Sequence, residues 1–178
     1  MGGARRQVTL ERTYQATLEE LWALWTTKDG IEAWWGPGGF VVVVHSLDVQ
    51  PGGELIYTMA AKDPEMIAFM ESSGQPTSSL HRATYTEVTP PRRLAWHHLV
   101  DFIPDTGTYQ VSHLVELHPD PGGVRMVLTF DAMHDDLWTQ RATMGWQQEL
   151  DRIQDALVAG RPQAPASNST VRPSGSRV

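Results

Sequence analysis

The sequence contains no cysteine. That excludes disulfides, a thiolate nucleophile and zinc–thiolate sites, so stability must come from packing and hydrogen bonds. Long apolar runs are also missing. The longest, Phe40 to Val44, falls far short of the roughly 20 residues that span a bilayer, so membrane insertion is not expected. No apolar stretch follows Met1-Gly2-Gly3-Ala4-Arg5-Arg6, so a secretory signal is not expected either, and a cytoplasmic location is the simplest reading. Basic charge is scarce: the net charge is −7, and without Arg161, Arg172 and Arg177 the remainder carries about −10. A body this acidic repels phosphate backbones, which argues against nucleic acid as a partner.

Tyrosine and phenylalanine number four each, but tryptophan numbers seven, and buried indoles supply a large apolar area. At 178 residues, 40% hydrophobic and 20% charged, the chain suits one globular domain. Residues 1–6 are expected to form a disordered arm. Residues 161–178, rich in Pro, Ser, Gly and Arg, are expected to form a disordered tail. The domain then occupies 7–160.

Within it the periodicities separate. Val8 to Tyr14 alternates as a strand. Thr17-Leu18-Glu19-Glu20 is a capping box, followed by Leu18, Leu21, Trp22 and Trp25 on one helical face. A second short helix, Asp29 to Trp35, stops at Gly36-Pro37-Gly38-Gly39. Strands are predicted at 40–48, 54–61, 80–88, 93–102, 109–118 and 123–131, most of them divided by Pro- and Gly-containing turns. Short links make them antiparallel. Asp135 or Asp136 caps a final helix to about Ala159, with Trp146, Leu150, Ile153 and Leu157 on one face and Gly160 beyond. The fold class is α+β, with a curved seven-stranded antiparallel sheet wrapped around the long C-terminal helix and two short helices after the first strand.

The segment 62–79 exceeds what a hairpin needs. Asp63 and Pro64 start a short helix whose apolar face carries Met66, Ile67, Phe69 and Met70. It is open to three readings: plain packing, a lid over a cavity, or a homodimer contact.

Strand parity nominates an inner wall. It comprises Leu55, Tyr57 and Met59; Leu94, Trp96, His98, Val100 and Phe102; Tyr109, Val111, His113, Val115 and Leu117; and Met126, Leu128 and Phe130, while His81 and Tyr85 share a parity on their own strand. Trp35, Trp138 and, from the segment 62–79, Met66 and Met70 join the candidates. A filled core is the plain reading of these faces. The polar tips of Tyr57, Tyr85, His98 and His113 among apolar neighbours favour a cavity instead, because buried polar groups need partners. Gly145 interrupts the last helix, as glycine does where a strand or a ligand comes close. No metal or cofactor is expected. His97 and His98 point to opposite faces, and neither a nucleophile elbow nor a phosphate loop is present.

Three stretches resemble a known family: Arg12-Thr13-Tyr14-Gln15-Ala16, Glu20-Leu21-Trp22-Ala23-Leu24-Trp25-Thr26 and Trp34-Trp35-Gly36-Pro37-Gly38-Gly39-Phe40. Asp48-Val49-Gln50-Pro51-Gly52-Gly53, Tyr85 to Leu94, and Met144-Gly145-Trp146 leading into Leu150 to Ile153 extend the likeness over about 7–159. The family is that of domains related to the C-terminal part of the activator of the 90-kDa heat-shock protein ATPase, within the START/polyketide cyclase-like superfamily. The resemblance implies a helix-grip fold with an apolar cavity between sheet and helix, and it would place Tyr85 inward. Relatives include lipid carriers, cyclases, resistance proteins and co-chaperones. A hydrophobic small molecule is therefore the expected partner, with a small cyclase, aromatase or hydrolase using cavity His and Tyr, or a co-chaperone, as alternatives.

Overall fold

The computed structural model describes residues 5–160. Apart from Arg5 and Arg6, the expected arm and tail lie outside the described residues. Arg5 donates to the Gln110 carbonyl at 2.6 Å, and Arg6 pairs with Asp136 at 2.8 Å.

Strand β1 (Gln7–Tyr14) is followed by helices α1 (Leu18–Thr26) and α2 (Lys28–Trp34), then strands β2 (Phe40–Leu47) and β3 (Glu54–Ala61). Helix α3 (Pro64–Ser72) precedes strands β4 (Ser78–Thr89), β5 (Arg93–Val100), β6 (Tyr109–Asp120) and β7 (Gly123–Asp131), and helix α4 (Asp136–Ala159) closes the chain. The capping box forms as expected. Thr17 Oγ1 accepts from the Glu20 amide at 3.1 Å, and Glu20 accepts from the Thr17 amide at 2.8 Å. Asp135 caps α4, its carboxylate accepting from the Trp138 amide at 2.7 Å.

The seven strands form one antiparallel sheet in the order β1-β7-β6-β5-β4-β3-β2. Register shifts at Val44/Ser46 and Tyr85/Glu87 add the local bends that help the sheet curl. Strand β5 stops two residues short of its predicted end, so Phe102 lies in the following loop. The turn begins early there, with Asp105 in the left-handed region.

Because β1 and β2 are the two edges, α1 and α2 must carry the chain from one edge of the sheet to the other. Their side chains also protect the β2 edge. Glu32 accepts from the Val44 amide, and Lys28 donates to the Val44 carbonyl, both at 2.7 Å. Those polar groups are therefore not offered to another strand. Tyr14 ties β1 to α4 by donating to the Leu150 carbonyl at 2.8 Å.

The core fills the concave face. Leu21, Trp25, Ile31 and Trp34 from α1 and α2 meet Leu150, Ile153 and Leu157 from α4 over the inner rows of the sheet. A smaller cluster of Val100, Ile103 and Val111 lies apart, with Trp138 and Met133 packed on it. Helix α3 buries none of its residues, and Phe69 is 62% exposed. Asp63 stands at its N-cap position without a side-chain capping bond.

Gly30 is where α2 presses on α1. A Cβ there would sit 2.4 Å from the Ala23 carbonyl oxygen and 2.7 Å from Leu24 Cα. Replacing Gly30 with Ala should force the two helices apart and destabilise the protein by about 1–3 kcal/mol. Urea unfolding curves check this, and an unchanged midpoint would mean that the contact is loose.

Candidate functional site

Trp146 divides the inner face of α4. On its C-terminal side Leu150, Ile153 and Leu157 pack fully into the core, while Ala142, Gly145, Trp146 and Glu149 border a gap between helix and sheet. The gap is a cavity of about 240 Å³. The sheet contributes Tyr57 and Met59 from β3, His81 from β4, His98 and Val100 from β5, Val111 and His113 from β6, and Phe130 from β7. Helix α4 supplies Ala142, Gly145, Trp146 and Glu149. Trp35, Pro37, Phe102 and Met133 come from the connecting segments.

Eleven of the residues nominated from the sequence meet here: Trp35, Tyr57, Met59, His81, His98, Val100, Phe102, Val111, His113, Phe130 and Gly145. The others lie elsewhere. Tyr85, Trp96, Met126 and Leu128 do face inward, but neighbouring side chains fill the space around them and they belong to the solid core. Trp138 packs on the smaller cluster, with the Arg141 guanidinium 5.1 Å above its ring. Met66 and Met70 sit on α3, which sends no residue into the cavity wall. At Gly145 an added Cβ would meet nothing within 4 Å, so no strand approaches it closely. Sequence reasoning missed Glu149, and its signal was present. An acidic residue stands three after Trp146 and four before Ile153, inside the apolar stripe of α4.

The histidines form a connected set. Ser79 Oγ lies 2.7 Å from His81 Nε2, and His81 Nδ1 lies 3.3 Å from His98 Nε2. His113 Nδ1 is 3.2 Å from the Val111 carbonyl, which fixes the proton on that nitrogen and leaves Nε2 as an acceptor. His113 stacks on Trp96 with ring centroids 4.9 Å apart, and His81 stacks on Tyr57 at 5.0 Å. Burial holds His81 and His113 down at about 4, and it holds His98 well below the ordinary range, helped by the other two rings. All three are neutral imidazoles near pH 7.

Glu149 is buried on the opposite wall. Its Oε1 accepts from the Gly36 amide at 2.9 Å, while Arg152 donates to the Gly36 carbonyl. Gly36, at the start of the Gly36-Pro37-Gly38-Gly39 loop, is thus held through both its amide and its carbonyl by two side chains of α4. Burial raises the Glu149 carboxyl to about 8, against the opposing pull of the Gly36 amide and Arg152. It is therefore a neutral acid at pH 7. Burial also raises the Tyr57 hydroxyl, with Glu149 adding to the effect and a hydrogen bond from Trp35 opposing it. The cavity thus offers neutral donors and acceptors on apolar walls. Among the described residues no group of three His, Cys, Asp or Glu is placed to hold a metal ion, and no helix is long and apolar enough to cross a membrane.

Residues 15–158 match the family described as Activator of Hsp90 ATPase homolog 1-like protein. Among solved structures, a protein from Chromobacterium violaceum is 21% identical with a TM-score of 0.70, covering 85% of this chain and 96% of its own. The AHSA1-like protein from Aeromonas hydrophila is 24% identical with a TM-score of 0.66, over 86% and 93%. The AHSA1 protein from Silicibacter pomeroyi is 22% identical with a TM-score of 0.67, over 88% and 100%. At these identities the likeness establishes the fold alone. None of the curated proteins matches the sequence.

The buried titratable groups set the pH dependence of stability. From the ordinary 4.5 up to about 8, folded Glu149 holds a proton that the unfolded chain has lost, so its contribution falls as pH rises. From the ordinary 6.5 down to about 4, the unfolded chain takes up protons that His81 and His113 refuse when folded, and His98 acts in the same sense. Stability therefore falls as pH drops. Three histidines outweigh one carboxyl where the windows overlap, so the melting temperature should peak near pH 6.5 and decline on both sides. Glu149→Gln should flatten the limb between pH 6.5 and 8 and keep the acidic one. Calorimetry across pH 4.5–8.5 tests this, and a wild-type melting temperature that is level from 6.5 to 8 refutes it.

Proposed function

This chain belongs to the Activator of Hsp90 ATPase homolog 1-like family, and we propose that it binds a neutral, apolar or aromatic small molecule between the sheet and the C-terminal helix. The supporting observation is the cavity itself, about 240 Å³ walled by aromatic and aliphatic side chains and dotted with uncharged polar groups. An apolar cavity of about 150 Å³ accommodates benzene, so this volume suits a molecule of about two fused rings. Charged ligands fit less well, because no Lys or Arg lines the wall and the Glu149 carboxyl is neutral near pH 7.

The same groups leave room for catalysis, since a neutral histidine facing a neutral carboxylic acid can pass a proton through a bound molecule. The family's description favours a second reading, stimulation of a heat-shock protein ATPase, which predicts activation of that ATPase whether or not the cavity is filled.

Filling the cavity tests the first of these readings. Ala142 is on the wall and only partly buried, so Ala142→Phe should occupy the space while α4 stays helical. Titration calorimetry with naphthalene should show saturable binding to the wild type that weakens about tenfold or more in the variant. Equal binding by both proteins, or none by the wild type, would count against the cavity as the site.

A further inference from the structure

Glycine near the middle of a long helix lowers stability relative to alanine, so Gly145 needs a reason. Two structural reasons are usual, and neither holds. Gly145 is not among the residues with positive φ. No strand or side chain comes within 4 Å of where its Cβ would lie, in contrast to Gly30, which is hemmed in at 2.4 Å. The absent side chain leaves open space at the cavity wall. Ala142, Gly145 and Glu149 fall at i, i+3 and i+7 and all line the cavity, so α4 presents a flat strip that ends in a carboxyl group. The Gly36 amide occupies Oε1 of that carboxyl, and its other oxygen is left to serve a guest.

We infer that this strip reads the ligand: Gly145 makes the room in which a flat, neutral two-ring molecule lies against α4, and Glu149 takes a carbonyl or ether oxygen at one end. The inference rests on the binding reading above and adds the chemical class of the ligand and the residue that sets its size. The rest of the wall agrees with it. Phe130 and His113 on the sheet and Trp146 on the helix add aromatic surface, His113 being stacked between Trp96 and Phe130. Burial keeps Glu149 protonated at neutral pH and hence able to donate.

The experiment compares 1-indanone, indane and 2-aminoindane in titration calorimetry at pH 7 with the wild type, Gly145→Ala, Gly145→Val and Glu149→Leu. The wild type should bind 1-indanone about tenfold or more tightly than indane, and 2-aminoindane more weakly than 1-indanone. Gly145→Ala should raise the melting temperature by about 2 °C or more and weaken 1-indanone about tenfold, and Gly145→Val should abolish binding. Glu149→Leu should erase the preference for the ketone. If that variant fails to fold, the ketone preference of the wild type and the Gly145 pair still decide the matter. A wild type that binds none of the three probes overturns the binding reading and this inference with it. A wild type that binds while Gly145→Ala binds equally well, or is less stable, overturns the inference alone. So does tighter binding of the ammonium probe than of the ketone.

Discussion

Trp146 and the indoles it touches act as a prop on which the architecture depends. Its ring stacks at 6.2 Å on Trp25, lies 5.7 Å from Trp35 and reaches Trp96 at 6.4 Å, while Trp25 meets Trp34 edge-on at 4.6 Å. Three of these rings come from the α1–α2 segment that joins the two sheet edges, one from the sheet and one from α4. A single cluster therefore fixes the height of the helix above the sheet and holds the bridging helices in place. Each buried ring removes about 150–250 Å² from water, worth several kcal/mol at about 25 cal/mol per Å². That margin exceeds the cost of the buried indole N–H groups of Trp25 and Trp96, which find no acceptor, at about 1–3 kcal/mol each. From Ala142 to Glu149 a gap remains between α4 and the sheet around this prop, and farther on Ile153 and Leu157 descend into core.

The polarity of that gap follows from the same packing. Burial among apolar side chains disfavours charge, so it pushes His81, His98 and His113 down and Glu149 up, and all four are neutral at pH 7. Glu149 also reaches outside the cavity. With Arg152 it holds Gly36 through its amide and its carbonyl, and Gly36 begins the loop that supplies Pro37 to the wall. A change at the carboxyl would be felt at that loop, in the way that buried polar networks couple their members.

Much of the fold was legible because each element carries a local signal. The capping box at Thr17 and Glu20, the alternation along β3 to β7 and the Asp135 cap of α4 all need only neighbours in sequence. Parity also told which strand residues share a face, including His81 with Tyr85 and His98 with Trp96, and the resemblance turned Tyr85 inward. It could not tell how far along the sheet the solid core gives way to the cavity. Tyr57 lines the gap, whereas Tyr85, Trp96, Met126 and Leu128 share its inner face and are packed over. That boundary is set by where Trp146 lands, which is a tertiary fact. Met66 and Met70 mislead for a related reason: an apolar stripe on a short helix says that it can stick, not where. Glu149 was overlooked because apolar periodicity counts apolar residues, and the informative residue was the one that broke the count.

The fold and the site therefore obey different rules. The sheet, the bridging helices and the far half of α4 satisfy propensity, capping and packing together, which is why the architecture persists in structures only 21–24% identical. Gly145 and Glu149 each violate a folding rule, the first by removing a side chain mid-helix without a steric need, the second by burying a carboxyl without an ion pair at its own oxygens. Local conflicts of this kind concentrate where a sequence is selected for something other than stability. Both lie on one face of one helix, four residues apart, and both line the cavity beside Trp146. The coincidence of two such departures with this cavity is what turns a packing feature into a candidate site.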